Sequence, residues 1–183
     1  MPRNKRDIDA QLKRDEIVSH AHALFQAHGF ENTSMAAISR SAAIAPNTIY
    51  WYFEGKDEVL IAVLDTLVQT TTSEYQRKHF RSAQQRLTWV LNKFTEYQPL
   101  IAAVHARLEQ SPAIRQWHDG YHVALEGLIT THLMQEGLPA ERAELMATVG
   151  TFVMEGLLSH PHSAAQRKAI LAWLSGEYRL SKA

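Results

Sequence analysis

Apolar residues recur at intervals of three and four along almost the whole chain, and nowhere do they settle into the strict alternation of a half-buried strand. Ile17, Ala21, Leu24 and Phe25 form one such stripe. Gly29 follows it, a residue suited to the left-handed stop after a helix, so a first helix is predicted over 9–28. Val59, Leu60, Val63, Leu64, Leu67 and Val68 form a wider stripe behind Lys56. Asp57 and Glu58 stand where a helix N-terminus favours negative charge, which predicts a helix from 56 to somewhere between 72 and 78. From Arg81 onward the helical period is broken only at Pro99, Ser111-Pro112, Gly137-Leu138-Pro139 and His160-Pro161. Helices are predicted over 81–97, 100–110, 112–136, 140–158 and 163–178. The fold class is therefore all-α.

Between the first two stripes lies TSMAAISRSAAIAPNTIYWYFEGK, residues 33–56. Met35, Ala37 and Ile38 mark a short helix over 34–41, and Ile44 plugs the turn after it. A second short helix is predicted to open at Pro46, where a missing N–H costs nothing, and to run to about Phe53 with Ile49 and Phe53 inward. Two helices so short need a third to bury a core, and the chain supplies one on each side. This is the plan of a helix-turn-helix, whose second helix enters the DNA major groove. Pro46, Asn47 and Thr48 would form the exposed first turn, with Asn able to bond adenine and the Thr methyl able to meet a thymine methyl. Tyr50 and Trp51 carry polar tips for phosphate oxygens, Thr33 and Ser34 carry hydroxyls at a helix start, and Lys56 adds a point charge. On these residues alone, an ordinary helical corner with a Tyr/Trp core cluster stays open.

The run Arg14 to Leu60 resembles the DNA-binding domain of the TetR/AcrR-type (tetracycline-repressor-like) family of transcriptional regulators. The matching pieces are Ile17, Ala21, Leu24-Phe25, Gly29-Phe30, Thr33-Ser34-Met35, Ile38, Ala42, Thr48-Ile49-Tyr50, Tyr52-Phe53, Lys56 and Leu60. Two positions depart from the family pattern of Gly and Ser in the turn: Ala43 and Ala45. A left-handed Ala43 would cost about 1–2 kcal/mol. Ala45 leaves the second helix without a side-chain N-cap, a loss of roughly 1 kcal/mol. The resemblance implies a helix-turn-helix domain over 1–55 with an arm over 1–9, a connecting helix over 56–78, and an all-helical regulatory and dimerisation domain over 79–183. It also implies a ligand-responsive repressor, released from a palindromic operator by a small-molecule inducer. The base code is not inherited, because Pro46 and Asn47 sit where family members vary.

Charge modifies this picture. The chain carries 19 basic and 19 acidic side chains, so a sequence-blind coater of nucleic acid is a poor fit. The stretch 32–53 holds Arg40 and no acid, and in the arm Arg3, Lys5 and Arg6 could reach phosphates, although a solvated tail reads the same way. There is no cysteine, so disulfides and thiolate chemistry are excluded. The absence of a long apolar run and of a signal region predicts a soluble cytoplasmic protein.

The second half carries no recognisable motif. The resemblance implies a ligand pocket there, and His105, Trp117, Tyr121 and His122 are its candidate lining, with Trp117 and Tyr121 four apart on one face. His118 and His122 are also four apart and could share a metal. Glu126 would extend that face, but two histidines are too few for a stable site, so no metal or cofactor is predicted. Leu145, Met146, Val149, Phe152, Val153, Leu157, Leu158, Ile170, Leu171, Trp173 and Leu174 make faces broader than one small core needs. They suggest association, and the resemblance implies a homodimer through the last two helices. Two readings of other classes remain, an all-helical enzyme acting on a small molecule and a ligand-independent architectural dimer. The first has no phosphate loop, nucleophile elbow or zinc motif behind it.

Overall fold

The computed structural model describes the backbone of residues 5–180 and the side chains of residues 8–176. Among the described residues there are eight α-helices and no strand: α1 (Lys5–His28), α2 (Met35–Ser41), α3 (Lys56–Arg77), α4 (Ala83–Glu96), α5 (Gln98–Arg107), α6 (Pro112–Gln135), α7 (Ala140–Ser159) and α8 (Ala164–Leu180). None is long and apolar enough to cross a membrane. The side chains of Arg3, Lys5 and Arg6, assigned to the arm, lie outside the described residues, while α1 itself opens at Lys5.

Two compact units result. One takes the chain up to Gln76 together with Pro99–Trp117; the other takes Arg77–Gln98 and the chain from His118 onward. The pattern predicts one crossing near residue 78, whereas the chain crosses three times. Sequence periodicity shows where helices begin and end, but not which earlier helix a later one returns to.

In the first unit α1 packs against α2. Ile17, Ala21, Phe25, Ile38, Ile49, Phe53, Val59, Leu60 and Val63 are buried, and the rings of Phe25 and Phe30 meet at 5.3 Å. α1 stops at Gly29, with φ of 79°, and the Gly29 N–H donates to Phe25 O. α2 starts on Ser34, whose hydroxyl accepts from the Ala37 N–H at 3.1 Å. It ends with the Ala43 N–H donating to Arg40 O and the Ile44 N–H to Ser39 O, the paired closure of a Schellman stop. The left-handed residue of that stop is Ala43, with φ of 52°. Ala43→Gly is therefore expected to raise stability by about 0.5–1 kcal/mol, the relief of left-handed strain less the added freedom of the unfolded chain. Urea denaturation of both proteins checks this, and an unchanged or lower midpoint contradicts it.

In the second unit α4 packs on α8 and α7. Leu91, Met154, Leu157 and Leu171 form one core there, and Leu133, Leu138, Ala143 and Met146 form another. Ser163 and Gln166 close a capping box at the start of α8. At the end of α6, Gly137 (φ of 98°) lets the Leu138 N–H reach Leu133 O, and both leucines belong to one core.

Candidate nucleic-acid interface

The predicted second helix, 46–53, is not a regular α-helix. Its ordered centre is a 3-10 turn, Ile49–Trp51, entered through a turn at Pro46 to Thr48. The hydrogen bonds explain it: Thr48 to Ala45, Trp51 to Thr48 and Tyr52 to Ile49 all close over three residues, and only Phe53 to Ile49 closes over four. With no side-chain oxygen at Ala45 to hold an opening turn, so short a segment tightens into the 3-10 form. On the far side the Glu54 N–H donates to Glu58 Oε2 at 2.6 Å and fixes the entry into α3.

The segment is anchored from beneath. Ile49 and Phe53 are buried, and the Arg14 guanidinium lies over the Phe53 ring at 4.6 Å. Its other side is open. Trp51 is 84% exposed and Tyr50 is 56% exposed, high values for such large rings. Pro46 and Asn47 are exposed and Thr48 half-buried. Ser34 and Arg40 on α2 are exposed as well. The sequence thus places an aromatic pair, an amide and a proline together on one short projecting turn.

Two residues expected at phosphates make contacts within the protein. Thr33 is only 2% exposed, and its hydroxyl donates to Gly29 O at 2.8 Å. It finishes the stop of α1, which leaves its hydroxyl turned inward. Lys56 Nζ donates to Phe30 O at 2.8 Å and Glu31 O at 3.4 Å, and sits 4.2 Å from the centre of the Phe30 ring. The ammonium clasps the loop between α1 and α2 to the start of α3.

Arg107 of α5 is a supporting residue that local pattern does not reveal. Its Nε lies 2.8 Å from Asp57 Oδ1 and its Nη2 donates to Asp57 Oδ2 at 2.9 Å, an ion pair at the first turn of α3. The hydrogen bond to Asp57 holds the guanidinium above its ordinary pKa. Its planar head also lies 5.4 Å from the Phe30 ring centre. The two partners are fifty positions apart, beyond the reach of any local motif.

The four candidate ligand residues divide between the units. His105, exposed on α5, belongs to the first, as does Trp117, whose Nε1 donates to Asp65 of α3 at 2.8 Å. Tyr121 and His122 belong to the second, where the ring of Tyr121 meets that of His122 edge-on at 5.7 Å. Burial, aided by the charge of Glu155, pushes the Tyr121 phenol up to about 12, so it is neutral at physiological pH. A groove of about 530 Å³ lies between α7 and α8, lined by Pro139, Leu145, Val149, Trp173 and others. Phe152 is exposed, and Leu145, Val149 and Phe152 form one outward stripe on α7.

Comparison with known proteins agrees with this geometry. Residues 17–63 match the family described as "Bacterial regulatory proteins, tetR family". The HTH-type transcriptional regulator UidR of Escherichia coli K12 is 38% identical over 56 residues, covering 31% of this chain and 29% of UidR. TtgR of Pseudomonas putida, likewise an HTH-type transcriptional regulator, is 36% identical over 62 residues, covering 34% of this chain and 30% of TtgR. The chain thus spans less than a third of the curated relatives it matches. Its fold as a whole is shared with a transcriptional regulator from Rhodococcus (TM-score 0.73, 15% identity, 93% of this chain and 98% of that one). Salmonella enterica GusR shares it too (TM-score 0.68, 19% identity, 93% and 96%).

Proposed function

We propose, from the match of residues 17–63 to the tetR family of bacterial regulatory proteins, that this protein is a cytoplasmic, DNA-binding transcriptional regulator that acts as a ligand-released repressor. The observation that carries the reading is the projecting turn, whose outer rings stand in solvent while Ile49 and Phe53 lock its inner side. Pro46, Asn47 and Thr48 face base edges in the major groove. Tyr50, Trp51 and Ser34 fix the turn on phosphates, and Thr33 and Lys56 hold it from behind.

One such turn touches too few base pairs for specificity, so two copies are required. The outward stripe of Leu145, Val149 and Phe152 on α7, with exposed Trp173 on α8, supplies an apolar face for a twofold homodimer. A near-palindromic operator then matches the protein's symmetry. An inducer taken up by the second unit would act through segments shared by both units, α3 and α6. By linkage it must bind the DNA-incompetent form more tightly.

Gel-shift measurements with DNA from upstream of the protein's own gene test the reading. Two chains per site are expected, with Asn47→Ala relaxing choice at one base pair in each half-site, a loss of about 1–3 kcal/mol of discrimination per contact. Binding without sequence preference in the parent protein would sink the proposal.

A further inference from the structure

We propose that α6 and α7 form a binding site for a divalent first-row transition-metal ion, with His118, His122 and Glu155 as its protein ligands. His118 and His122 stand one helical turn apart on α6, and their rings approach to 4.4 Å between centroids. The sequence offers no third ligand on their own helix. Glu126, which extends the same face, accepts a hydrogen bond from Thr148 Oγ1 at 2.8 Å. The third donor comes from α7: Glu155 Oε1 lies 3.2 Å from His122 Nε2. The ligand atoms of His118 and Glu155 are within 4.8 Å of each other.

These distances suit a metal. Two ligands bound at about 2.0–2.1 Å to a tetrahedral ion are separated by roughly 3.3 Å. The His122–Glu155 edge already has that length, and the His118–Glu155 edge is no longer than 4.8 Å. Asp119 Oδ1 lies 3.3 Å from His118 Nδ1, the outer-sphere carboxylate that orients a zinc-bound imidazole. Two imidazoles and one carboxylate favour Zn²⁺, Co²⁺ or Ni²⁺ over the oxygen-seeking Mg²⁺ and Ca²⁺. A fourth position remains for water or an exogenous donor. The proposal is independent of DNA binding, since it is read without DNA.

Titration of the full chain with Zn²⁺ by calorimetry, after chelator treatment, tests it, with Co²⁺ absorption as the reporter of coordination. The expected result is one tight ion per chain, a visible Co²⁺ band of low-coordinate character, and a Zn²⁺-dependent rise in melting temperature. Glu155→Gln keeps the size and the hydrogen-bonding capacity of the side chain but removes a charged ligand. It should weaken affinity at least about tenfold, as should His122→Gln, and Asp119→Asn about tenfold through orientation. The chain has ten histidines, so adventitious binding is the competing outcome. If both ligand variants, folded by circular dichroism, bind Zn²⁺ as the parent does, or if the parent shows no stoichiometric site, the contact is only a hydrogen bond between helices and the proposal fails.

Discussion

Replacing Tyr50 and Trp51 together with alanine is expected to abolish specific DNA binding while leaving the fold untouched. Both rings project into solvent, so little packing is lost, and stability should stay within about 0.5 kcal/mol of the parent. Affinity responds differently. A hydrogen bond to a charged phosphate oxygen is worth roughly 1.5–3 kcal/mol, and the proposed twofold dimer would carry every residue twice. Losing one such contact per head costs about 3–6 kcal/mol, or roughly a hundred- to ten-thousandfold in affinity. Fluorescence anisotropy with operator DNA, beside a thermal melt, separates the two effects. Since 32–53 holds Arg40 as its one charged side chain, the affinity of the parent should also fall only gently with salt. Retained affinity in the double variant would mean that DNA meets another surface.

Much of this was readable beforehand, for reasons particular residues make plain. Helix limits followed from punctuation. Gly29 and Gly137 do take up left-handed stops, and the breaks at Pro99, Pro112, Pro139 and Pro161 all fall at or beside helix ends. The class of the fold followed from period alone. The exposed turn was legible because Ile49 and Phe53 are spaced to point one way and Tyr50 and Trp51 another. What escaped was whatever depends on a partner distant in the chain. A threonine or lysine beside a DNA-reading motif invites assignment to phosphate, yet Thr33 completes the stop of α1 and Lys56 grips the carbonyl of Phe30, twenty-six positions away. Arg107 with Asp57, and Glu155 with His122, are pairings that only the fold creates. The 3-10 form of the reading turn lies between these cases. The missing cap at Ala45 was visible, but its consequence was a choice between two helical closures of similar energy, which propensity does not decide.

Phe53→Ala is expected to be the most destabilising single change in the first unit that also removes DNA binding. The ring is almost wholly buried, and truncating a buried phenylalanine costs about 3–5 kcal/mol. The Arg14 guanidinium stacked on it would lose its partner as well, adding roughly 0.5–1 kcal/mol. Because Phe53 and Ile49 hold the turn from beneath, its loss should also release the projecting residues, and operator affinity should fall even at temperatures where the chain remains folded. Phe53→Leu retains most of the apolar volume and should cost less than half as much, with partial DNA binding. The pair is informative against the Tyr50 and Trp51 variant: one face of the turn governs affinity alone, the other governs affinity through stability. Denaturant melts and anisotropy on the same samples measure both. A loss below about 1 kcal/mol in Phe53→Ala would show that the turn is not anchored through this ring. The projecting geometry on which the proposed DNA reading depends would then need another support.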